Sequence, residues 1–156
     1  MQISSHAREV ACVLSVALLA IAPLAAAEPN EEVAAAVSNW AQALGQDEPE
    51  KILPFYADDA VLWGTVSPTL RADRSGLRDY FVTAFRVLPG LKVSFGEQHI
   101  GVYGGAAINT GYYTFSYEKD GEVKTLPARY SFTYVKNGDR WLIVDHHSSA
   151  LPPAPK

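Results

Sequence analysis

Three consecutive residues near the end of the chain, Asp145, His146 and His147, are the side chains best suited to chemistry. A carboxylate beside an imidazole can fix its tautomer and hold a proton acceptor whose charge changes near neutral pH, which is what abstraction of a proton from a carbon acid requires. Strand alternation puts Asp145 and His147 on one face and His146 on the other, so only a bulge would bring all three to one ligand. Two uses are open. Either one histidine sits in a pocket while the other bonds at a subunit contact, or His147 paired with Asp145 acts as a general base.

Arg129 is the second candidate, in the run Ala128-Arg129-Tyr130-Ser131-Phe132. A guanidinium in so apolar a strand must find a carboxylate or reach water, because an unpaired buried cation is not tolerated. It therefore serves an anionic ligand or an internal salt bridge, with Asp145 as the natural partner. Trp63, Thr65, Ser67 and Arg71 flank a turn and have the composition of a ligand rim, although Trp63 fits a core equally well. Tyr112, Tyr113, Tyr117, Tyr130 and Tyr134 suit a polar-apolar pocket or a dimer interface.

Several chemistries are absent from the pattern. There is no Gly-x-Gly-x-x-Gly, phosphate loop, His-Glu-x-x-His or Gly-x-Ser-x-Gly, so no cofactor is implied. His99, His146 and His147 lack a metal-specifying spacing, and no metal is expected.

The elements that must position these groups follow from periodicity. Asn30-Glu31-Glu32 starts a helix carrying Val33, Val37, Trp40 and Leu44 on one face, and Gly45 stops it. A short helix over 49–56 and a turn at Asp58-Asp59 precede a short strand over 60–63. Asp73 caps a helix bearing Leu77, Tyr80, Phe81 and Phe85, ended by Pro89-Gly90. Four β-rich segments follow, 91–103, 106–118, 122–136 and 140–149, separated by Gly104-Gly105, Asp120-Gly121 and Asn137-Gly138-Asp139. Such separators make an antiparallel meander, and helices before a meander make an α+β fold.

Length and composition agree with one domain: 156 residues, 48% hydrophobic, 19% charged. A net charge of −4 without a basic cluster argues against nucleic acid as a partner. Residues 1–27 read as a secretory leader, with an apolar run and an Ala-x-Ala cleavage region ending at Ala27. The run also nears the roughly 18 residues that span a bilayer, so an uncleaved anchor is the alternative. Cleavage would remove Cys12, the only cysteine, and leave a periplasmic or secreted domain over 28–152 with a frayed tail at 153–156.

The segments Tyr56-Ala57-Asp58-Asp59-Ala60-Val61-Leu62-Trp63-Gly64-Thr65, Ser67-Pro68-Thr69-Leu70-Arg71, Ala128-Arg129-Tyr130-Ser131-Phe132 and 141–152 carry a resemblance. They are similar to bacterial relatives of the association (hub) domain of calcium/calmodulin-dependent protein kinase II. The element order resembles the nuclear transport factor 2-like cone, shared with SnoaL-type cyclases and ketosteroid isomerases. The resemblance implies a cone around a cavity and a homodimer paired through the sheet. The kinase hub has an arginine-lined pocket for small carboxylates, but its arginine positions fall here on Tyr112, Phe132 and Ser148. No kinase domain or calmodulin-target helix accompanies it, so calmodulin is not an expected partner.

Two functions follow from these residues. In the first, the domain is an exported small-molecule-binding or oligomeric scaffold module. Trp63, Arg71, Tyr112, Arg129, His146 and His147 line its cavity or mouth and receive a small acidic or polar-aromatic ligand. In the second, it is a cyclase- or isomerase-type enzyme with His147 and Asp145 as its base.

Overall fold

The computed structural model describes residues 27–153, so Cys12 with nearly all of the segment read as a leader, and the end of the chain, lie outside the described residues. Helix α1 (Pro29–Leu44) begins with Pro29 in the first turn, where the missing N–H is not needed, and places Glu31 and Glu32 at the positive end of its dipole. Its buried residues, Val33, Val37, Trp40 and Leu44, recur every three to four positions. Short helix α2 (Pro49–Ile52) and a 3₁₀ turn (Leu53–Phe55) lead into strand β1 (Tyr56–Trp63). The strand therefore starts at Tyr56 rather than Ala60, and Asp58-Asp59 lie within it instead of in a turn. Helix α3 (Arg74–Val87) is capped by Asp73, whose Oδ1 accepts from the Gly76 N–H at 2.7 Å.

Four long strands complete the chain: β2 (Lys92–Tyr103), β3 (Ala106–Lys119), β4 (Glu122–Asn137) and β5 (Arg140–Ala150). They form the expected antiparallel meander, and β1 joins the far edge parallel to β5, giving the order β1-β5-β4-β3-β2. The β3–β4 turn has positive φ at both Asp120 and Gly121, the backbone of a two-residue hairpin turn that matches strand twist. The helices cover the inner face of this sheet. Trp40 is the centre of the core, edge-on to Phe132 at 5.1 Å and to His146 at 5.6 Å between ring centroids. The α+β fold read from the sequence is the observed one.

Two bulges bend the sheet. In β2 an extra residue lies between Phe95 and Gln98, opposite Tyr112. In β5 the extra residue is Val144, since Thr133 pairs with Asp145 while its neighbour Tyr134 pairs with Ile143. The first bulge folds so tightly over β3 that a Cβ on Gly111 would lie 2.1 Å from the Glu97 carbonyl oxygen. That oxygen is backbone and cannot swing aside. Gly111→Ala should therefore lower unfolding free energy by about 1–3 kcal/mol in urea titration, the usual cost of a forced backbone shift. An unchanged midpoint would show that the bulge is not held by this close approach.

Candidate functional site

The closing segment divides between two sites because Val144 interrupts its alternation. Trp141 and Ile143 face the core; after the bulge His146 and Ser148 do so, while Asp145, His147 and Ser149 turn to the outer face. The interior histidine is therefore His146.

His146 is 3% exposed and both ring nitrogens are engaged. Trp40 Nε1 donates to Tyr56 Oη at 3.1 Å, and Tyr56 Oη lies 2.9 Å from His146 Nδ1. An indole N–H can only donate, so the Tyr56 oxygen accepts from Trp40; with a second lone pair and a proton of its own, it bonds Nδ1 in the direction the imidazole tautomer sets. Nε2 lies 3.4 Å from Tyr113 Oη, so each ring nitrogen faces one phenol. Tyr113 donates to Ser148, and Ser148 is hydrogen-bonded to Thr65 at the open end of the cone. Five hydrogen bonds thus link the indole at the bottom to the loop, with the imidazole in the middle.

Burial sets the charge state of this chain. It lowers the His146 pKa from 6.5 to about 3, with a smaller push from the adjoining His147. Burial likewise raises the phenols of Tyr56 and Tyr113 well above their ordinary range, and that of Tyr80 to about 12. A neutral imidazole saturated by two phenols holds no proton for catalysis and accepts none near neutrality. The cavity beside it, bounded by Thr65, Tyr80, Phe115, Leu126, His146 and Ser148, measures about 20 Å³. One water fits such a volume, whereas small-molecule sites run to about 300–1,000 Å³. The hollow polar interior expected from the sequence is instead packed with aromatic rings.

The other proposed ligand residues stand elsewhere. Trp63, His147, Ser131, Thr110 and His99 are successive partners across β1, β5, β4, β3 and β2, forming one outward row over the whole sheet. Tyr112, Arg129 and Ser149 form the adjacent row. Trp63 is 45% exposed and Tyr112 54%, so neither is a core or cavity residue. Together the two rows border a groove of about 350 Å³ containing His99, Tyr112, Arg129, Ser131, His147 and Ser149. Arg129 donates from Nε to Ser149 Oγ at 3.2 Å, its only side-chain hydrogen bond among the described residues. It forms no salt bridge to Asp145. Nor does Asp145 bond to His147, since they are two residues apart on an extended strand and point side by side into solvent. Ser131, Ser149 and Thr110 escaped the sequence reading, although alternation from His147 and the hairpin register would have found them.

Arg71 is separate again. Its backbone pairs with Leu62 through hydrogen bonds of 2.8 and 3.0 Å, closing the 62–71 loop, and its guanidinium reaches Ser67 at 3.4 Å. The loop packs on α3 through Gly64, where a Cβ would lie 2.1 Å from the Tyr80 ring. Among the described residues no three His, Cys, Asp or Glu side chains converge to hold a metal ion.

Residues 29–152 match the family model of the calcium/calmodulin dependent protein kinase II association domain. A solved protein from Xanthomonas campestris described as that association domain is 36% identical, covering 85% of this chain and 95% of its own, with a TM-score of 0.75. An NTF2-like protein of cystatin-like fold from Novosphingobium aromaticivorans is 14% identical over 80% of this chain and 82% of its own, with a TM-score of 0.69. A ketosteroid isomerase-like protein from Erwinia carotovora atroseptica is 16% identical over 81% and 98%, with a TM-score of 0.65. The last two share the fold alone. No curated protein matches the chain.

Two variants test the interior. The His146 pKa is depressed on folding, so its contribution to stability is complete above pH 6.5 and is lost as pH falls toward 3. Its share of the loss is about 1.4 kcal/mol per pH unit in that window. Wild type should lose stability more steeply between pH 6 and 4 than His146→Gln, and nitrogen NMR should show one imidazole held neutral throughout as a single fixed tautomer. Equal slopes would mean that the folded protein takes up the proton. Tyr134 is 1% exposed and its hydroxyl has no hydrogen-bond partner among the described residues. Tyr134→Phe should therefore leave stability unchanged or raise it by up to about 1 kcal/mol, whereas the other buried phenols should lose stability on the same change.

Proposed function

Because the chain belongs to the calcium/calmodulin-dependent protein kinase II association-domain family, we propose that it is an exported oligomeric scaffold domain that pairs with a second copy through the outer face of its sheet. The observation that carries this reading is the distribution of side chains between the two faces. The inner face is closed by helices and filled, whereas among the described residues nothing covers the outer face, which carries Trp63, Tyr112 and Ile108 at 45, 54 and 42% exposure. Exposed aromatic and aliphatic groups on a sheet without a covering layer favour a partner surface. Strands β2–β5, of 12, 14, 16 and 11 residues, present a face on the order of 800 Å², which is what one partner contributes to a standard interface.

The charges suit a like partner. Arg129 and Asp145 occupy the same face without pairing within the chain, so the face carries both signs of charge and two copies meeting on it do not confront a single-sign field. Export rests on the composition of residues 1–27, an apolar run closed by alanines. The alternative of a general base has weaker support: the enclosed imidazole is saturated, and His147 faces outward with no carboxylate bonded to it.

Sedimentation velocity tests the pairing. Wild type should sediment as a dimer or larger even-numbered assembly, and Ile108→Asp should shift it to monomer with an unchanged far-ultraviolet spectrum, because Ile108 is a surface residue of the single chain. A monomeric wild type across micromolar concentrations would overturn the reading.

A further inference from the structure

The outer-face groove collects more hydrogen-bond donors than the chain itself uses. Arg129 spends one N–H on Ser149 Oγ and directs its remaining four elsewhere. Since Ser149 accepts from Arg129, its own hydroxyl hydrogen is available, and Ser131 stands in the neighbouring row between Thr110 and His147 with no side-chain partner among the described residues. Thr110 differs, because its hydroxyl donates to the Tyr130 carbonyl at 2.8 Å. Two acids lie two residues from groove histidines: Glu97 is 3.3 Å from His99 at the β2 edge, and Asp145, before His147, does not line the groove. No carboxylate borders the groove beside Arg129. A locally cationic depression on a protein of net charge −4 is a selective feature of this face.

We infer that this groove binds a tetrahedral oxyanion, as inorganic phosphate or as a small phosphate monoester, between Arg129, His147, Ser131 and Ser149. A guanidinium fork takes two oxygens of an oxyanion bidentately. Two hydroxyls and an imidazole on the flanking strands then provide for further oxygens, more than the two that a carboxylate presents. The groove's volume of about 350 Å³ accommodates a phosphate with a small organic substituent, which would lie along the exposed Tyr112 ring. This inference deepens the pairing reading and rests on it in one respect: a second copy on this face would enclose the groove and exclude water, strengthening every charge-assisted bond within it.

The test uses the purified full chain with phosphorus NMR and thermal unfolding, at constant ionic strength with chloride as the balancing anion. Inorganic phosphate and phenyl phosphate should show line broadening with wild type, and millimolar phosphate should raise Tm by about 3 °C. Arg129→Gln and His147→Gln should lose both responses while remaining folded. A stronger response to phenyl phosphate would identify the monoester as the natural form, and equal responses the free ion. An equal Tm rise with benzoate would overturn the tetrahedral class. Absence of broadening in a wild type that sediments as a dimer would overturn the site and leave the pairing standing. A monomeric wild type that broadens phosphate in an Arg129-dependent way would keep the site and remove only its enclosure. Should Arg129→Gln and Asp145→Asn weaken pairing non-additively with no phosphate response, Arg129 would belong to an ion pair between copies, and the inference would fall.

Discussion

A single extra residue, Val144, decides which side of the sheet every polar group of the last strand faces. Without it, continued alternation from Trp141 and Ile143 would send Asp145, His147 and Ser149 into the core. A carboxylate would then be buried beside an imidazole among tyrosines and phenylalanines, with desolvation costs that this core has no cations to offset. The bulge instead admits one imidazole and one hydroxyl, both of which can be satisfied by neutral partners. The rest of the interior is built on that selection.

Neutrality is what makes the inner polar chain compatible with so aromatic a core. Trp40, Tyr56, His146, Tyr113, Ser148 and Thr65 connect helix α1, the edge strand β1, strands β3 and β5 and the loop after β1. Every polar group along the chain meets a neutral partner, and the donor-only indole closes it at its base. Such a network specifies one packing of helix α1 against β5. It does not provide a reactive group, because a saturated neutral imidazole has neither a vacant lone pair nor a transferable charge at neutral pH.

Charge and exposed aromatic area meet on the opposite face. Arg129, His147 and Asp145 stand among Trp63, Tyr112 and Ile108, where no element among the described residues covers them. Separating a dry neutral interior from a wet charged face lets one curved sheet both hold a core and offer a recognition surface. The two bulges support this division, one by setting side-chain parity and the other by bending β2 over Gly111.

The sequence alone determined the elements and their order. Val33, Val37, Trp40 and Leu44 at helical spacing, Asp73 before α3 and the Asp120-Gly121 turn are local signals that act over a few residues, so they are legible without tertiary context. The boundary at Tyr56 was less legible, because β1 is held by parallel pairing to β5, a partner some ninety residues away. Alternation also correctly separated His146 from its neighbours, and the closing motif pointed to the family. What only the tertiary structure decided was which face is inside. A bulge is a property of two strands in register and leaves no fixed mark in one of them. Whether Arg129 and Tyr112 point to a cavity or to an open face likewise depends on where the helices lie, and that follows from packing the whole core.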